Sequence, residues 1–167
     1  MICNKIMKKH LSKLENLRMI ETKFNLFDFE NIILPNIYEK VNSKGETYYC
    51  INNFCGLNKK RYVEYSGIDL TNFEWDGNEV YICIDTESEI YSTLKVGLIA
   101  VNSWKNILKL KFPQVQFDIV MSISDGIEFG ITPSVTLRLY AIRNEYHYVE
   151  ADSIENFTQP VLIEQVI

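Results

Sequence analysis

The amino-acid sequence predicts an α+β fold, in which an antiparallel sheet of five or more strands packs against a long central helix and an N-terminal helix. The first observation behind this prediction is the alternation of apolar and polar side chains along Val115–Ser124, typical of a strand with one buried face. The second is a long amphipathic segment over residues 87–111. The third is a content of ten Tyr and nine Phe, which favour pleated sheets. Because no linker or repeat divides the chain, residues 1–167 are predicted to form a single domain.

The N-terminal helix is predicted over residues 4–19. Met7, Leu11, Leu14 and Leu17 recur at spacings of three and four residues, and basic side chains lie between them. A basic amphipathic helix can bind a membrane surface or a partner. Packing on its own domain is the more common role, and it is the one expected here.

Shorter elements are predicted between residues 24 and 84. Turn-forming residues separate two strand-like runs, and Asp76-Gly77 is suited to a second hairpin turn. The predicted elements are a short strand and loop over residues 24–34, a hairpin of Ile37–Val41 and Thr47–Ile51, a strand over Arg61–Tyr65, a turn at Trp75–Asn78 and a strand over Val80–Ile84.

The long central helix is predicted from both of its ends. Thr86 and Glu89 match a capping box, in which each side chain bonds the backbone amide of the other residue. Lysines near the other end favour the negative end of the helix dipole, and Pro113 forbids continuation. This helix, over residues 87–111, is expected to be the one on which the sheet packs.

The C-terminal third reads as a run of strands. Turn residues at Asp125-Gly126, Thr132-Pro133 and Asn144-Glu145 divide it. The predicted elements are the strands Val115–Ser124, Ile127–Ile131, Val135–Arg143 and Tyr146–Glu150, a helical turn over Ser153–Phe157, and a last strand, compatible with a sheet edge, over Val161–Ile167.

The charge of the chain is unevenly distributed around a net value of −5. Residues 112–167 contain eight acidic residues and two Arg, whereas residues 92–111 contain four Lys and no acidic residue. A nucleic-acid binder is expected to show a basic face with interleaved aromatic residues, but the aromatic residues here lie mainly among the acids. The pattern argues against nucleic acid and favours a basic protein partner.

The sequence predicts a cytoplasmic protein without a membrane segment. Charged and amide residues interrupt every apolar stretch before the roughly 18 residues that a membrane helix needs. Met1–Ile20 lacks the apolar core of a signal peptide. In that compartment the four Cys are expected to be free thiols, and Cys50 and Cys55 lack the further Cys or His pair of a zinc site.

Motifs of cofactor and metal chemistry are absent from the sequence. The seven Gly form no phosphate loop or dinucleotide pattern, so no cofactor is predicted. Asp118, Asp125 and Glu128 flank a predicted turn and could offer oxygen ligands to a cation. Their spacing fits no standard calcium loop, so they are interpreted as turn residues and no metal site is predicted.

His147 is the one candidate for catalysis. It lies near Glu145 and Glu150, with Arg138 on the preceding predicted strand, and such a set could cleave RNA by acid–base chemistry. A lone His on the solvent face of a hairpin explains the same pattern. The simpler explanation is preferred, and the protein is predicted not to be an enzyme.

The predicted function is that of a non-catalytic protein-binding module. A small, acidic chain without catalytic motifs fits a bacterial immunity protein or inhibitor that neutralises a basic toxin, such as a nuclease. The alternatives are a small RNase-like enzyme that uses His147, and a structural adaptor subunit that forms a homodimer. The predicted partner-binding residues lie on the turns and polar face of the C-terminal sheet: Asp125, Glu128, Glu145, Tyr146, His147, Tyr148 and Glu150.

Overall fold

A computed structural model of the protein describes residues 1–16, 29–51, 65–84, 90–124 and 132–167. The described helices are α1 (Lys5–Asn16), α2 (Glu30–Ile33), α3 (Ile68–Gly77) and α4 (Ile90–Lys111), with a 3-10 helix at Ala151–Asn156. The described strands are β1 (Ile2–Cys3), β2 (Ile37–Val41), β3 (Thr47–Ile51), β4 (Glu79–Cys83), β5 (Phe117–Ser124), β6 (Ser134–Ala141) and β7 (Val161–Val166). These elements confirm the predicted α+β class.

Five strands form an antiparallel sheet in the order β1-β7-β5-β6-β4. At its centre, Met121 of β5 lies opposite Leu137 of β6 and Leu162 of β7. These three residues share one apolar core with Leu94 and Trp104 of α4. The alternation predicted for β5 is therefore confirmed, and its apolar face is the one that α4 covers.

The helix α4 approaches the sheet closely at Gly97. A Cβ atom at this position would lie 2.9 Å from both Met121 Sδ and Val135 Cγ1. Contacts below 3.0 Å require the surroundings to shift, and Val135 is a stiff β-branched residue. A residue without a side chain is therefore what allows the central helix to lie directly on β5 and β6.

The opposite, outer face of the sheet is partly covered by the segment that follows β6. Val149 and Ile154 of this segment pack on Val120, Tyr140 and Ile163 and form a second apolar cluster. The polar face of the sheet, on which the partner-binding residues are predicted to lie, is therefore covered over part of its area. It is covered because the segment after β6 is not a strand of the sheet but crosses this face.

The predicted strand Tyr146–Glu150 is wrong for the same reason. Asn144 and Glu145 adopt positive φ angles of 52° and 59°, and the Tyr146 amide donates to the Arg143 carbonyl oxygen at 2.9 Å. This geometry is a tight turn of the hairpin kind, as predicted for Asn144-Glu145. After a single bridge between Arg143 and Tyr146, the chain leaves the ladder and crosses the outer face toward the 3-10 helix.

The predicted hairpin turn at Trp75–Asn78 is also wrong, because these residues end α3. Leu70 and Glu74 are four residues apart and both are buried, which is the spacing of one helix face. Gly77 and Asn78 suit the end of a helix as well as a turn. Burial of the preceding helix face decides between the two.

The hairpin of β2 and β3 is confirmed with the predicted boundaries, and α3 joins it to the main sheet. Asn78 accepts a hydrogen bond from the Ile51 amide at 2.8 Å and donates to the carbonyl oxygens of Tyr49 and Leu139 at 2.8 and 3.0 Å. One buried amide side chain thus connects β3 to β6. It satisfies backbone groups that would otherwise be buried without partners.

Three further predictions have mixed outcomes. The N-terminal helix is confirmed as α1, and its Met7 side chain is fully buried in the main core. Residues 30–33, predicted as part of a strand and loop, form one turn of helix instead. The last strand is confirmed as β7, but it does not form the edge of the sheet because β1 pairs with its outer side.

Several sequence predictions fall on residues that lie outside the described ranges. They are the capping box at Thr86 and Glu89, the strand Ile127–Ile131 and most of the strand Arg61–Tyr65. Within the described ranges, no helix is both long and apolar enough to cross a membrane. Cys3 and Cys83 carry free thiols, but Cys50 is disulfide-bonded, contrary to the expectation of free thiols throughout.

Candidate functional site

Five of the seven predicted partner-binding residues lie on the segment that crosses the outer sheet face. Glu145, Tyr148 and Glu150 are exposed there, whereas Tyr146 and His147 are half-buried. The other two predicted residues, Asp125 and Glu128, lie outside the described ranges.

His147 is held by a carboxylate that the sequence pattern did not pair with it. Its Nδ1 atom lies 2.6 Å from Oδ2 of Asp118, a fully buried residue of β5. The prediction that Glu145 or Glu150 accompanies His147 is therefore wrong: 29 residues separate the true partners in sequence. The interpretation of Asp118 as a turn residue is wrong, because Asp118 lies within β5. The alternation along this strand is consistent with its place on the outer face, but it gives no information about the segment that lies over it.

Tyr140 completes the surroundings of this buried carboxylate. Its hydroxyl donates to Asp118 Oδ2 at 2.9 Å and accepts from the Val149 amide at 3.3 Å. Burial raises the pKa of Tyr140, and the negative charge of Asp118 raises it further, so the hydroxyl stays protonated and acts as a donor. Asp118 Oδ1 is buried and accepts no hydrogen bond from the part of the chain that the structure describes.

A buried Asp bonded to one nitrogen of a partly exposed His can support acid–base chemistry. The carboxylate orients the imidazole ring, which leaves the second nitrogen to exchange a proton with a substrate. The His147 side chain is 31% exposed. The geometry therefore supplies an oriented His, without a nucleophile or a metal ligand beside it in the contacts of the described residues.

Arg138, the third member of the predicted catalytic set, is engaged elsewhere. Its guanidinium lies 4.6 Å from the centre of the Trp75 ring and pairs with the carboxylate of Glu79. Tyr148 stacks on the same indole, with ring centres 4.2 Å apart and planes 15° apart. The sequence does not predict these contacts of Trp75, because the pattern at Trp75–Asn78 indicates a turn and not the end of α3.

The other Arg of the C-terminal third, Arg143, is bound to a buried carboxylate. Its two terminal nitrogens donate to the two oxygens of Glu74 at 2.9 and 2.6 Å, and Nη2 also donates to the Thr47 carbonyl oxygen at 2.9 Å. Burial raises the pKa of Glu74, whereas the Arg143 guanidinium and the amides of Ala141 and Tyr49 act in the opposite direction. This bidentate pair joins α3 to the turn after β6.

An exposed acidic surface results where α3 lies beside the segment after β6. The two are joined by the Trp75–Tyr148 stack and by a hydrogen bond of 3.2 Å from the Tyr146 hydroxyl to Asn72. The exposed carboxylates on the two elements, together called the acidic surface, are Asp69, Asp76, Glu145, Glu150 and Asp152. Within the described ranges, none of the five takes part in a salt bridge.

Neither a metal site nor similarity to other proteins assigns a function to this chain. Within the described ranges, no group of three or more His, Cys, Asp or Glu residues is arranged to hold a metal ion. Comparison of the chain with protein-family models, with curated proteins and with solved structures finds no match. Function is therefore argued from the geometry of the acidic surface, of the Asp118–His147 pair and of the outer sheet face.

Proposed function

We propose that this protein is a non-catalytic binding module, an immunity protein or inhibitor that neutralises a basic toxin such as a nuclease. The observation that carries the proposal is the acidic surface, with the exposed ring of Tyr148 between its two elements. Exposed carboxylates on a rigid scaffold steer a cationic partner and fix its orientation. Tyr is also among the residues that contribute most to binding energy at protein interfaces.

The internal pairing of the two arginines supports the same proposal. Arg138 is held by Glu79 and Arg143 by Glu74, so neither cation neutralises the carboxylates of the acidic surface. Their potential is therefore available to a partner. A basic active-site groove is the complementary surface that a nuclease toxin would offer.

The proposal is tested by charge reversal on the segment after β6. A variant with Glu145→Lys, Glu150→Lys and Asp152→Lys should fail to retain a basic protein that the wild-type chain retains from lysates of its source cells. A control variant with Glu15→Lys, Glu30→Lys and Glu39→Lys undergoes the same change in net charge at other exposed positions and should retain that protein.

The affinity of the recovered partner then provides the quantitative test. Calorimetry should show a Kd that weakens as salt concentration rises, because exposed charges steer the association and salt screens them. If both triple variants bind equally, or if no basic protein is retained by the wild-type chain, the proposal is wrong.

A second candidate is acid–base catalysis by His147, and the buried Asp118–His147 pair is the observation that favours it. An RNA-cleavage assay on the purified protein tests it, since RNA cleavage needs acid–base groups and no metal ion. Catalysis by this pair requires activity that His147→Ala removes and that His10→Ala, the substitution of the other His in the chain, leaves intact. Activity that survives His147→Ala excludes the candidate.

The compartment and oligomeric state belong to the same proposal. We place the protein in the cytoplasm, where it would meet a toxin before the toxin acts, and we expect a monomer until the partner binds. The adaptor alternative instead predicts a homodimer. Light scattering of the purified chain distinguishes the monomer from the homodimer. Disulfides are uncommon in the cytoplasm, and Cys50 is fully buried, so its alkylation is measured after the cells are denatured without reductant: a modified Cys50 supports the cytoplasm, and an unmodified one counts against it.

A further inference from the structure

A groove lies on the outer face of the sheet, beside the part that the segment after β6 covers. Ser122 of β5 and Thr136 of β6 lie directly opposite each other in its floor. Trp75 and Tyr148 border it at one side, and Gln159 also contributes to its lining. Its volume is about 330 Å³, near the lower limit of roughly 300–1,000 Å³ for small-molecule pockets.

Three uncharged polar side chains of this groove are available to a ligand. The side chains of Ser122, Thr136 and Gln159 form no hydrogen bond within the ranges that the structure describes. Serine and threonine hydroxyls and the glutamine amide can each donate and accept. Three such groups around a concave surface offer directional contacts to a ligand.

Among the described residues that line the groove, Arg138 is the one that carries a charge. In the contacts of the described residues, one terminal nitrogen pairs with Glu79, and the other reaches the Trp75 carbonyl oxygen at a long distance of 3.5 Å. A guanidinium carries five N–H donors, so several remain for an anionic group. The Glu79 carboxylate is 43% exposed, and such exposed pairs contribute little energy.

The remaining lining of the groove is apolar and aromatic. Val120 and Val161 lie in the floor, and the rings of Trp75, Tyr148 and Phe157 stand beside it. The stacked arrangement of Trp75 and Tyr148 holds the two rings in place before any ligand arrives. The groove therefore combines an apolar, aromatic side with the guanidinium of Arg138.

We propose that this groove binds a small molecule that carries a carboxylate or a phosphate group on a planar ring. Arg138 binds the anionic group through its free N–H donors, and the hydroxyls of Ser122 and Thr136 bind its polar atoms. The ring lies against the aromatic side of the groove. This site is separate from the acidic surface in its chemistry, because it selects a negative group rather than a positive one.

The two Trp residues of the chain provide a direct test by nuclear magnetic resonance. Trp75 borders the groove, whereas Trp104 is fully buried and its indole N–H donates to the Ile32 carbonyl oxygen. Benzoate and phenyl phosphate, titrated to millimolar concentration, should shift the indole signal of Trp75 and leave that of Trp104 unchanged. Benzamide has the ring of benzoate without its charge. Its Kd, measured from the same Trp75 signal, should be at least about tenfold weaker.

Comparison of the two anionic probes distinguishes the possible ligand groups. Tighter binding of benzoate assigns the site to carboxylates, and tighter binding of phenyl phosphate assigns it to phosphates. Equal shifts with benzoate and benzamide, or no shift of the Trp75 signal with either anion, would overturn the proposal.

Two variants locate the contact in the groove. Arg138→Gln should weaken binding of the preferred anion at least about tenfold, the loss expected for a charge-assisted hydrogen bond. Lys109→Gln removes one positive charge from an exposed position on α4 and should leave binding unchanged. An unchanged Trp104 signal verifies that each variant is folded, and equal binding by both variants contradicts the role of Arg138.

Discussion

Two buried carboxylates, Glu74 and Asp118, differ in how completely the protein satisfies them. Glu74 accepts two hydrogen bonds from Arg143 and one each from the amides of Tyr49 and Ala141, at 2.6 to 2.9 Å. Both of its oxygens are thereby used. Four donors on three residues, one in β3 and two at the end of β6 and just beyond it, make Glu74 a structural joint between α3, β3 and the end of β6.

Asp118 is equally buried but only half satisfied. One oxygen accepts from Tyr140 and contacts His147, whereas the other accepts no hydrogen bond from the described part of the chain. Its partner His147 has a side chain that is 31% exposed, whereas the Arg143 side chain is only 15% exposed. The comparison indicates that Glu74 serves the fold alone, and that Asp118 also sets the orientation of a side chain that meets solvent.

The largest effect should come from breaking the Glu74 joint. Arg143→Met leaves Glu74 buried without its cation, and removal of one partner of such a pair costs about 3–5 kcal/mol of unfolding free energy. Urea unfolding followed by circular dichroism measures this loss. The loss should be several times that of Arg138→Met, because the Arg138–Glu79 pair is exposed and worth about 1 kcal/mol or less. Similar losses in the two variants would show that Glu74 does not join α3, β3 and the end of β6 in an energetically important way.

A smaller effect is expected at the other carboxylate. His147→Ala removes one partner of Asp118, and the loss of a hydrogen bond to a charged group costs about 1–3 kcal/mol. The cost should stay below that of Arg143→Met, because Asp118 keeps the Tyr140 hydroxyl and lies beneath a partly exposed residue. Urea unfolding of the single variants and of the double variant Asp118→Ala with His147→Ala measures the coupling of the pair.

Tyr146→Phe is the matched control for this measurement, because it removes a hydrogen bond from the residue next to His147 without affecting Asp118. It should cost less than about 1 kcal/mol. If His147→Ala destabilises as much as Arg143→Met, the contrast between the two carboxylates does not hold. Strictly additive costs of Asp118→Ala and His147→Ala would contradict direct coupling between the pair.

The fold was predictable from sequence where local pattern and tertiary packing agree. The alternation of β5, the hairpin of β2 and β3, and the long helix α4 each follow from periodicity and turn residues. The helix α3 was not predictable in this way, because Asp76-Gly77 suits a hairpin turn as well as a helix end. The buried contacts of Glu74 and Asn78, which favour the helix, join residues far apart in sequence.

The candidate site was predictable only in part, for a related reason. Alternation placed Asp118 on the outer face of β5, and charge placed Glu145 and Glu150 on an acidic segment. Neither pattern could show that this segment leaves the sheet after Tyr146 and folds back over β5. That path decides which carboxylate meets His147, and it depends on the second apolar cluster under the 3-10 helix.

Substitution of a third carboxylate, Glu164 of β7, should cause the smallest loss of unfolding free energy. It extends the comparison to a carboxylate at the edge of the core. Burial raises its pKa, but the hydrogen bond from Lys105 and the positive charges of the Met1 amino group and of Lys105 outweigh burial. The pKa of Glu164 therefore lies below its ordinary value of 4.5. The Glu164 carboxylate therefore binds a proton more readily in the unfolded chain than in the folded protein. The stability that Glu164 contributes is lost as pH falls below about 4.5 and through the folded-state pKa.

Glu164→Gln should therefore lower the unfolding free energy by about 1 kcal/mol near pH 7, with a difference from wild type that shrinks as pH falls below about 4.5. Urea unfolding at a series of pH values measures this difference. Glu30→Gln, at an exposed position of α2, controls for the loss of one negative charge without an ion pair. A wild-type advantage that persists undiminished in acid would mean that Glu164 acts through packing, and that its ion pair with Lys105 contributes no stability of its own.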